Sequence, residues 1–313
     1  MDIDVFSARE LPTVFRVLRT TLNPDGELTE LQRRFLQTYA SICGCAPLQG
    51  DPLPVAARTV NILDVHRRKR LLQLAAIATL FNRPVNPRSA AYLKELEFHL
   101  VVSDPVTAVI EAVLQGKPFK ARMLTMRRMM RVMAKEARLK EGWKGVARMF
   151  AALALKAPVN MDKLWRYKRL GMLPDGTLGR EYWKHMTDVG FGFPGEPAGI
   201  PDSIAYHDVA HVLAGHDTTP LGEIQQGSFQ GGNRREDGFF FIQFVILQFH
   251  QGIKITPVAP PATDNFIPEK VLWAIHRGAR CNVDVTHQWN FWPLMELPIE
   301  EARERVALMP ALA

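Results

Sequence analysis

Three cysteines in 313 residues, Cys43, Cys45 and Cys281, are too few for a disulfide framework. Cys43 and Cys45 also stand too close together for an ordinary zinc half-site, so all three read as reduced, buried thiols. No apolar run reaches the roughly 20 residues needed to cross a bilayer. The opening Met-Asp-Ile-Asp-Val-Phe-Ser-Ala-Arg-Glu is acidic and lacks the basic start of a leader. Aromatics make up only 9%, and the alternation that marks strands is nearly absent. A secreted, disulfide-stapled, membrane-spanning or sheet-built protein is therefore not expected. The expectation is an all-α protein of the reducing cytoplasm.

What is present is helical periodicity and an uneven charge. Residues 1–156 hold 25 Lys+Arg against 14 Asp+Glu, net +11, while residues 157–313 hold 14 against 18, net −4. The break coincides with Ala157-Pro158-Val159-Asn160, which divides the chain into a basic helical region 1–156 and a second region 157–313. In the first, helices are expected around Val14–Leu18, after the turn Asn23-Pro24-Asp25-Gly26, and over the apolar run 71–81. The basic cluster His66-Arg67-Arg68-Lys69-Arg70 lacks interleaved aromatics or a recognition motif, so nucleic-acid binding is not expected. Over 118–140, Met123, Met126, Met129, Met130 and Met133 share one arc of a helical wheel. Arg127, Arg128, Arg131, Lys135 and Arg138 take the opposite arc. The plain reading is a methionine face on the core with arginines in water; the alternative is peripheral contact with an anionic membrane.

The chemistry concentrates in residues 202–226. On a helix starting near Pro201 or Asp202, His207 and His211 fall one turn apart, with Asp208 at the edge of their stripe. A histidine pair on an apolar helix is by itself more often a core feature than a ligand pair. Gly215 ends this helix, and Thr219-Pro220 caps the next, which carries Glu223 in its first turn. Two adjacent antiparallel helices would return Glu223 to the histidines, and two imidazoles plus two carboxylates suit Zn, Fe, Mn or Co. His216, just past the helix end, reads as a partner of the C-terminal dipole. Further on, Gly227, Gly231 and Gly232 interrupt the helical pattern. The segment Phe239–Phe249 is apolar almost all round and reads as a core helix. Helices are expected over 268–280 and 298–308.

His207-Asp208-x-x-His211 followed by eleven residues and Glu223 resembles the metal motif of the fourth coenzyme Q (ubiquinone) biosynthesis protein family. The resemblance runs through His-Val-Leu-Ala-Gly at 211–215, Thr-Thr-Pro-Leu-Gly-Glu at 218–223 and Leu-Pro-Asp-Gly-Thr-Leu-Gly-Arg-Glu-Tyr at 173–182, and covers about residues 163–308. It implies a divalent metal, zinc foremost, held by His207, Asp208, His211 and Glu223. It also implies oxidative decarboxylation at ring carbon one of a prenylated hydroxybenzoate-type precursor. Arg180 and Tyr182 are then candidates for the substrate headgroup, and Phe240 and Phe244, one turn apart, for the wall of a channel taking its prenyl tail. The implied partners are a prenylated aromatic lipid, other ubiquinone-biosynthesis enzymes and the inner face of the membrane; a homodimer is compatible with the chain. Two other readings stand beside this one. The first is a non-enzymatic lipid-binding scaffold. The second is an HD-type phosphohydrolase, which would need His185 and either Asp264 or Asp284 near the His207-Asp208 doublet.

Overall fold

The computed structural model describes residues 1–154, 160–197, 202–256, 259–287 and 289–310. The side chains of 140, 141, 145–154 and 202–204 lie outside that description. The boundary expected at 156/157 and the helix start at Pro201 fall outside the described residues. Within them the fold is all-α: thirteen α-helices and three short 3-10 turns, with no strand. No helix among the described residues is long and apolar enough to cross a membrane.

The first six helices are α1 (Leu11–Leu22), α2 (Glu30–Ile42), α3 (Val65–Phe81), α4 (Pro87–Leu100), α5 (Val106–Leu114) and α6 (Pro118–Ala154). Their starts follow from local chemistry. Thr29 and Gln32 form a reciprocal capping box at α2, Asp64 accepts the Arg67 N–H at α3, and Asn86 accepts the Arg88 N–H at α4. All residues 71–81 of α3 are buried, as the apolar run predicts.

The remaining helices are α7 (Met161–Lys168), α8 (Leu178–Val189), α9 (Asp202–Ala214), α10 (Pro220–Asn233), α11 (Phe239–Phe249), α12 (Pro268–Arg280) and α13 (Ile299–Arg305). Two apolar cores result. The larger draws on α1–α5 together with Ile224, Phe239, Ile242, Ile246, Val271 and Ile275, so it spans both sides of residue 156. The smaller gathers Tyr167, Tyr182, Val209, Leu213, Phe229, Trp289 and Val306. Helix α10 stands between them, with Ile224 in one core and Phe229 in the other. Both are fully buried, each contributing roughly 1.5–3 kcal/mol.

Two sequence expectations change here. Gly227, Gly231 and Gly232 do not interrupt α10, which runs through them. A Cβ on Gly232 would lie 2.0 Å from the Ile275 carbonyl oxygen of α12, and one on Gly278 would lie 2.0 Å from that of Phe229 on α10. On the side facing α11, a Cβ on Gly227 or Gly231 would instead meet a side chain, Val245 at 2.2 Å and Ile242 at 2.4 Å. Each glycine costs a helix about 1 kcal/mol relative to alanine; here that loss accompanies backbone approach between α10 and α12 and the seating of α11 side chains on α10.

The second change concerns α6. Its buried line is Ala121, Thr125 and Arg128, and not the methionines. Arg128 is drawn inward by two carboxylates, Asp104 (2.5 Å) and Asp237 (2.5 Å). Arg127, Arg131, Lys135 and Arg138 remain exposed as expected, whereas Met126, Met129, Met130 and Met133 are half-buried. Met123 is 51% exposed and Phe119, one turn before it, 72%.

Candidate metal centre

The turn between α9 and α10 builds the centre. Gly215 adopts a left-handed φ of 74°, which lets the His216 N–H return to the His211 carbonyl (3.0 Å) and the Gly215 N–H to that of Val212 (3.3 Å). This is a Schellman closure. It sets the His216 carbonyl against the other end of the same histidine, 3.1 Å from His211 Nδ1. Thr219 then caps α10 by accepting the Gly222 N–H at 3.1 Å. Gly222 must lack a side chain, because a Cβ would sit 2.1 Å from the Asp217 carbonyl oxygen.

The two helices run antiparallel, as the cross-contacts require. Glu223, early in α10, meets His211, late in α9, while Gln230, late in α10, meets His207, early in α9. Glu223, Gln226 and Gln230 share the face of α10 that looks at α9. His207 Nδ1 lies 2.9 Å from Gln230 Oε1, and Gln226 reaches His216 Nδ1 at 3.0 Å.

A backbone carbonyl can only accept, so the contact with His216 puts the His211 proton on Nδ1. Gln230 does the same for His207. Both Nε2 lone pairs then face inward, 3.0 Å apart. The Glu223 carboxylate closes the third side, with Oε2 3.6 Å from His207 Nε2 and Oε1 3.6 Å from His211 Nε2. All three donors lie within 4.8 Å of one another. Donors about 2.1 Å from one ion stand about 3–3.5 Å apart, so the set fits a divalent metal. Two lone pairs and a carboxylate converging in a mostly buried space repel one another unless a cation lies among them. The oxygens behind each ring are the outer contacts that fix a ligand's tautomer.

Without a metal, a proton serves instead. Burial works against a charged His207, but Glu223, with Asp208 and Gln230, outweighs it and lifts its pKa to about 9. Burial likewise opposes charge on Glu223, yet the two histidines bring its pKa down to about 2. Asp208 goes the other way: burial raises it to about 6, only partly offset by His207 and His211.

Asp208 does not join the three-donor cluster. Its Oδ1 lies 4.0 Å from His185 Nε2 on α8. The His185 ring stacks on His211 with centroids 5.7 Å apart. His216, expected as a cationic partner of the helix dipole, is instead held neutral, its pKa pushed by burial to about 3. Its contribution is its backbone carbonyl.

The expected substrate residues have partners of their own. Arg180 is bound to Asp175 (3.0 Å) and the Gly171 carbonyl, with its guanidinium over the Trp183 ring. Tyr182 is fully buried between Tyr167 and Phe193. On α11, Ile242 and Val245 pack on the glycine face of α10, and Phe240 lies under the guanidinium of Arg234 at the α10 C-terminus. Phe240 and Phe244 lie about half a turn away, Phe240 buried against Phe241 and Phe244 packed against the larger core. Asp264 pairs with Arg83 at 2.8 Å, and Asp284 accepts the Arg235 and Thr286 N–H groups.

Sequence reasoning missed Gln226 and Gln230, although their i+3 and i+7 spacing from Glu223 is the signal that marks them. A cleft of about 690 Å³ lies between α7 and residues 289–292. Its walls include Tyr206, Trp289, Phe291, Trp292, Lys163 and Arg166. Tyr206 immediately precedes His207. Set against known proteins, the chain matches no family model and no curated protein.

Proposed function

We propose that this chain is a divalent-metal enzyme of quinone biosynthesis, converting a prenylated hydroxybenzoate-type precursor by oxidative decarboxylation at ring carbon one. The observation that carries the reading is the convergence of His207 Nε2, His211 Nε2 and Glu223, with each imidazole's other nitrogen committed to an oxygen. In that reaction the ring carbon loses its carboxyl as CO2 and gains a hydroxyl whose oxygen comes from water, a two-electron oxidation in which dioxygen takes up the electrons as hydrogen peroxide. A bound ion, zinc by resemblance or Fe, Mn or Co on the same donors, would supply Lewis acidity toward the ring's carboxylate and phenolate oxygens. His207, His211 and Glu223 would hold it, with Gln230 and the His216 carbonyl keeping the rings oriented.

The cleft beside Tyr206 supports an aromatic, anionic headgroup, since rings form its walls and its two cations, Lys163 and Arg166, outnumber its one carboxylate, Asp162. The outward face of α6 supports peripheral contact with a membrane's cytoplasmic leaflet. Phe119 and Met123 are exposed there, flanked by Arg127, Arg131 and Arg138.

The test begins with elemental analysis of the wild type beside His207→Ala and Glu223→Ala. Near-stoichiometric metal in the wild type, lost in both variants while helicity persists, is expected. Metal-loaded protein should then convert a prenylated hydroxybenzoate in the presence of oxygen, releasing CO2. Equal conversion by metal-stripped protein would overturn the metal reading. Binding of the lipid without conversion would favour a scaffold that carries it to other enzymes of the pathway.

A further inference from the structure

We propose that His185 is a positioning residue for Asp208, the carboxylate that the resemblance counts among the metal ligands: it holds Oδ1 and thereby sets the direction of Oδ2 beside the centre. The inference rests on the metal reading above. It begins from two atoms that the fold has left without partners. Asp208 is 3% exposed, and its Oδ2 is buried with no hydrogen-bond donor; His185 Nε2 is buried and equally unpartnered. A buried polar group left in this state costs about 1–3 kcal/mol, more when it is charged.

The two side chains complement each other. His185 Nε2 can donate and Asp208 Oδ1 accepts, and they stand 4.0 Å apart. Closing that gap to a hydrogen bond takes about 1 Å of side-chain movement. A carboxylate has two oxygens, so engagement of one by His185 fixes the direction of the other. Asp208 follows His207 in the chain and belongs to the same electrostatic group as His207, His211 and Glu223. His185 comes from α8 and rests on the His211 ring, so it supports the centre from a third helix. This is the relation of an outer hydrogen-bond partner to a ligand.

A purely structural His185 would fill space and stack on His211, roles that phenylalanine also performs. The test therefore compares His185→Phe, which keeps a ring, with His185→Gln, which keeps an N–H donor, and with Asp208→Asn. Cobalt(II) is the probe, read by its visible absorption bands and by chelator competition on the full chain. Circular dichroism checks that each variant is folded.

The expected result is a 10–100-fold loss of cobalt affinity in His185→Phe with a changed cobalt spectrum, and recovery toward wild type in His185→Gln. Adding His185→Phe to Asp208→Asn should cause little further loss, because both act through one carboxylate. Wild-type affinity and spectrum in a folded His185→Phe would overturn the inference while leaving the three-donor centre standing. So would independent, additive losses in the double variant. Failure of the wild type to take up cobalt would remove the metal reading itself.

Discussion

Gly232→Ala tests the contact on which the position of α10 depends. In an isolated helix the substitution would stabilise by about 1 kcal/mol. Here the new methyl would lie 2.0 Å from the Ile275 carbonyl oxygen and within 2.8–3.0 Å of its neighbouring backbone atoms. Rigid backbone gives way only if α10 and α12 separate by about 1 Å, and overpacking of this kind typically costs about 1–3 kcal/mol. Separation also stretches the bracket at the end of α10. There Asn233 donates to the Val283 carbonyl at 2.7 Å and accepts the Val285 N–H at 2.7 Å, and each bond contributes about 1 kcal/mol. A net loss of about 1–3 kcal/mol is expected, read as a lower thermal midpoint by calorimetry or circular dichroism. Gly278→Ala should behave alike, since its methyl would meet the Phe229 carbonyl oxygen at 2.0 Å. The two together should cost less than the sum, because one separation relieves both clashes. Metal affinity should fall with them, since α10 carries Glu223 and Gln230. A Gly232→Ala protein as stable as wild type, or more so, would refute backbone contact between α10 and α12.

Three further outcomes are expected. In metal-free protein the Glu223–His207 pair should shape stability against pH. Glu223, its pKa held at about 2, contributes stability that is present above the ordinary carboxylate range and lost as pH falls through about 2. His207, raised to about 9, contributes stability that is complete below about 6.5 and lost as pH rises through about 9. The stability difference between wild type and Glu223→Gln, followed by denaturant titration, should therefore be largest between these limits and shrink on both sides; a difference independent of pH would contradict the pairing. Gly215→Ala, at φ 74°, should cost about 1–2 kcal/mol and weaken metal binding by displacing the His216 carbonyl from His211, both readable by thermal unfolding and chelator competition. Arg128→Ala strands the fully buried Asp104 side chain and should cost about 3–5 kcal/mol. An unchanged denaturation midpoint would show that Arg128 does not neutralise that carboxylate.

Much of this molecule was legible in its sequence. A cap such as Thr219 before Pro220 marks a helix start because it acts within four residues, and an all-α fold follows from that local chemistry and the apolar periodicity. The spacing from His207 to His211, and across the Gly215 turn to Glu223, fixes three side chains on two helices, since pitch and a short turn leave little choice. Tertiary structure decided what lies opposite each face. Periodicity put Arg128 among solvated arginines, but Asp104 and Asp237 arrive from other segments and neutralise it in the interior. Phe240 and Phe244 share a stripe, yet α10 packs on the Ile242 and Val245 side of α11. The glycines of α10 look like breaks until α11 and α12 are laid against them. His185 sits 22 residues before His207, and only the packing of α8 on α9 brings it to Asp208. A helix's own residues determine which side chains share a face, because that depends on pitch alone. The partner of that face depends on chain segments far away in sequence, and only packing selects it.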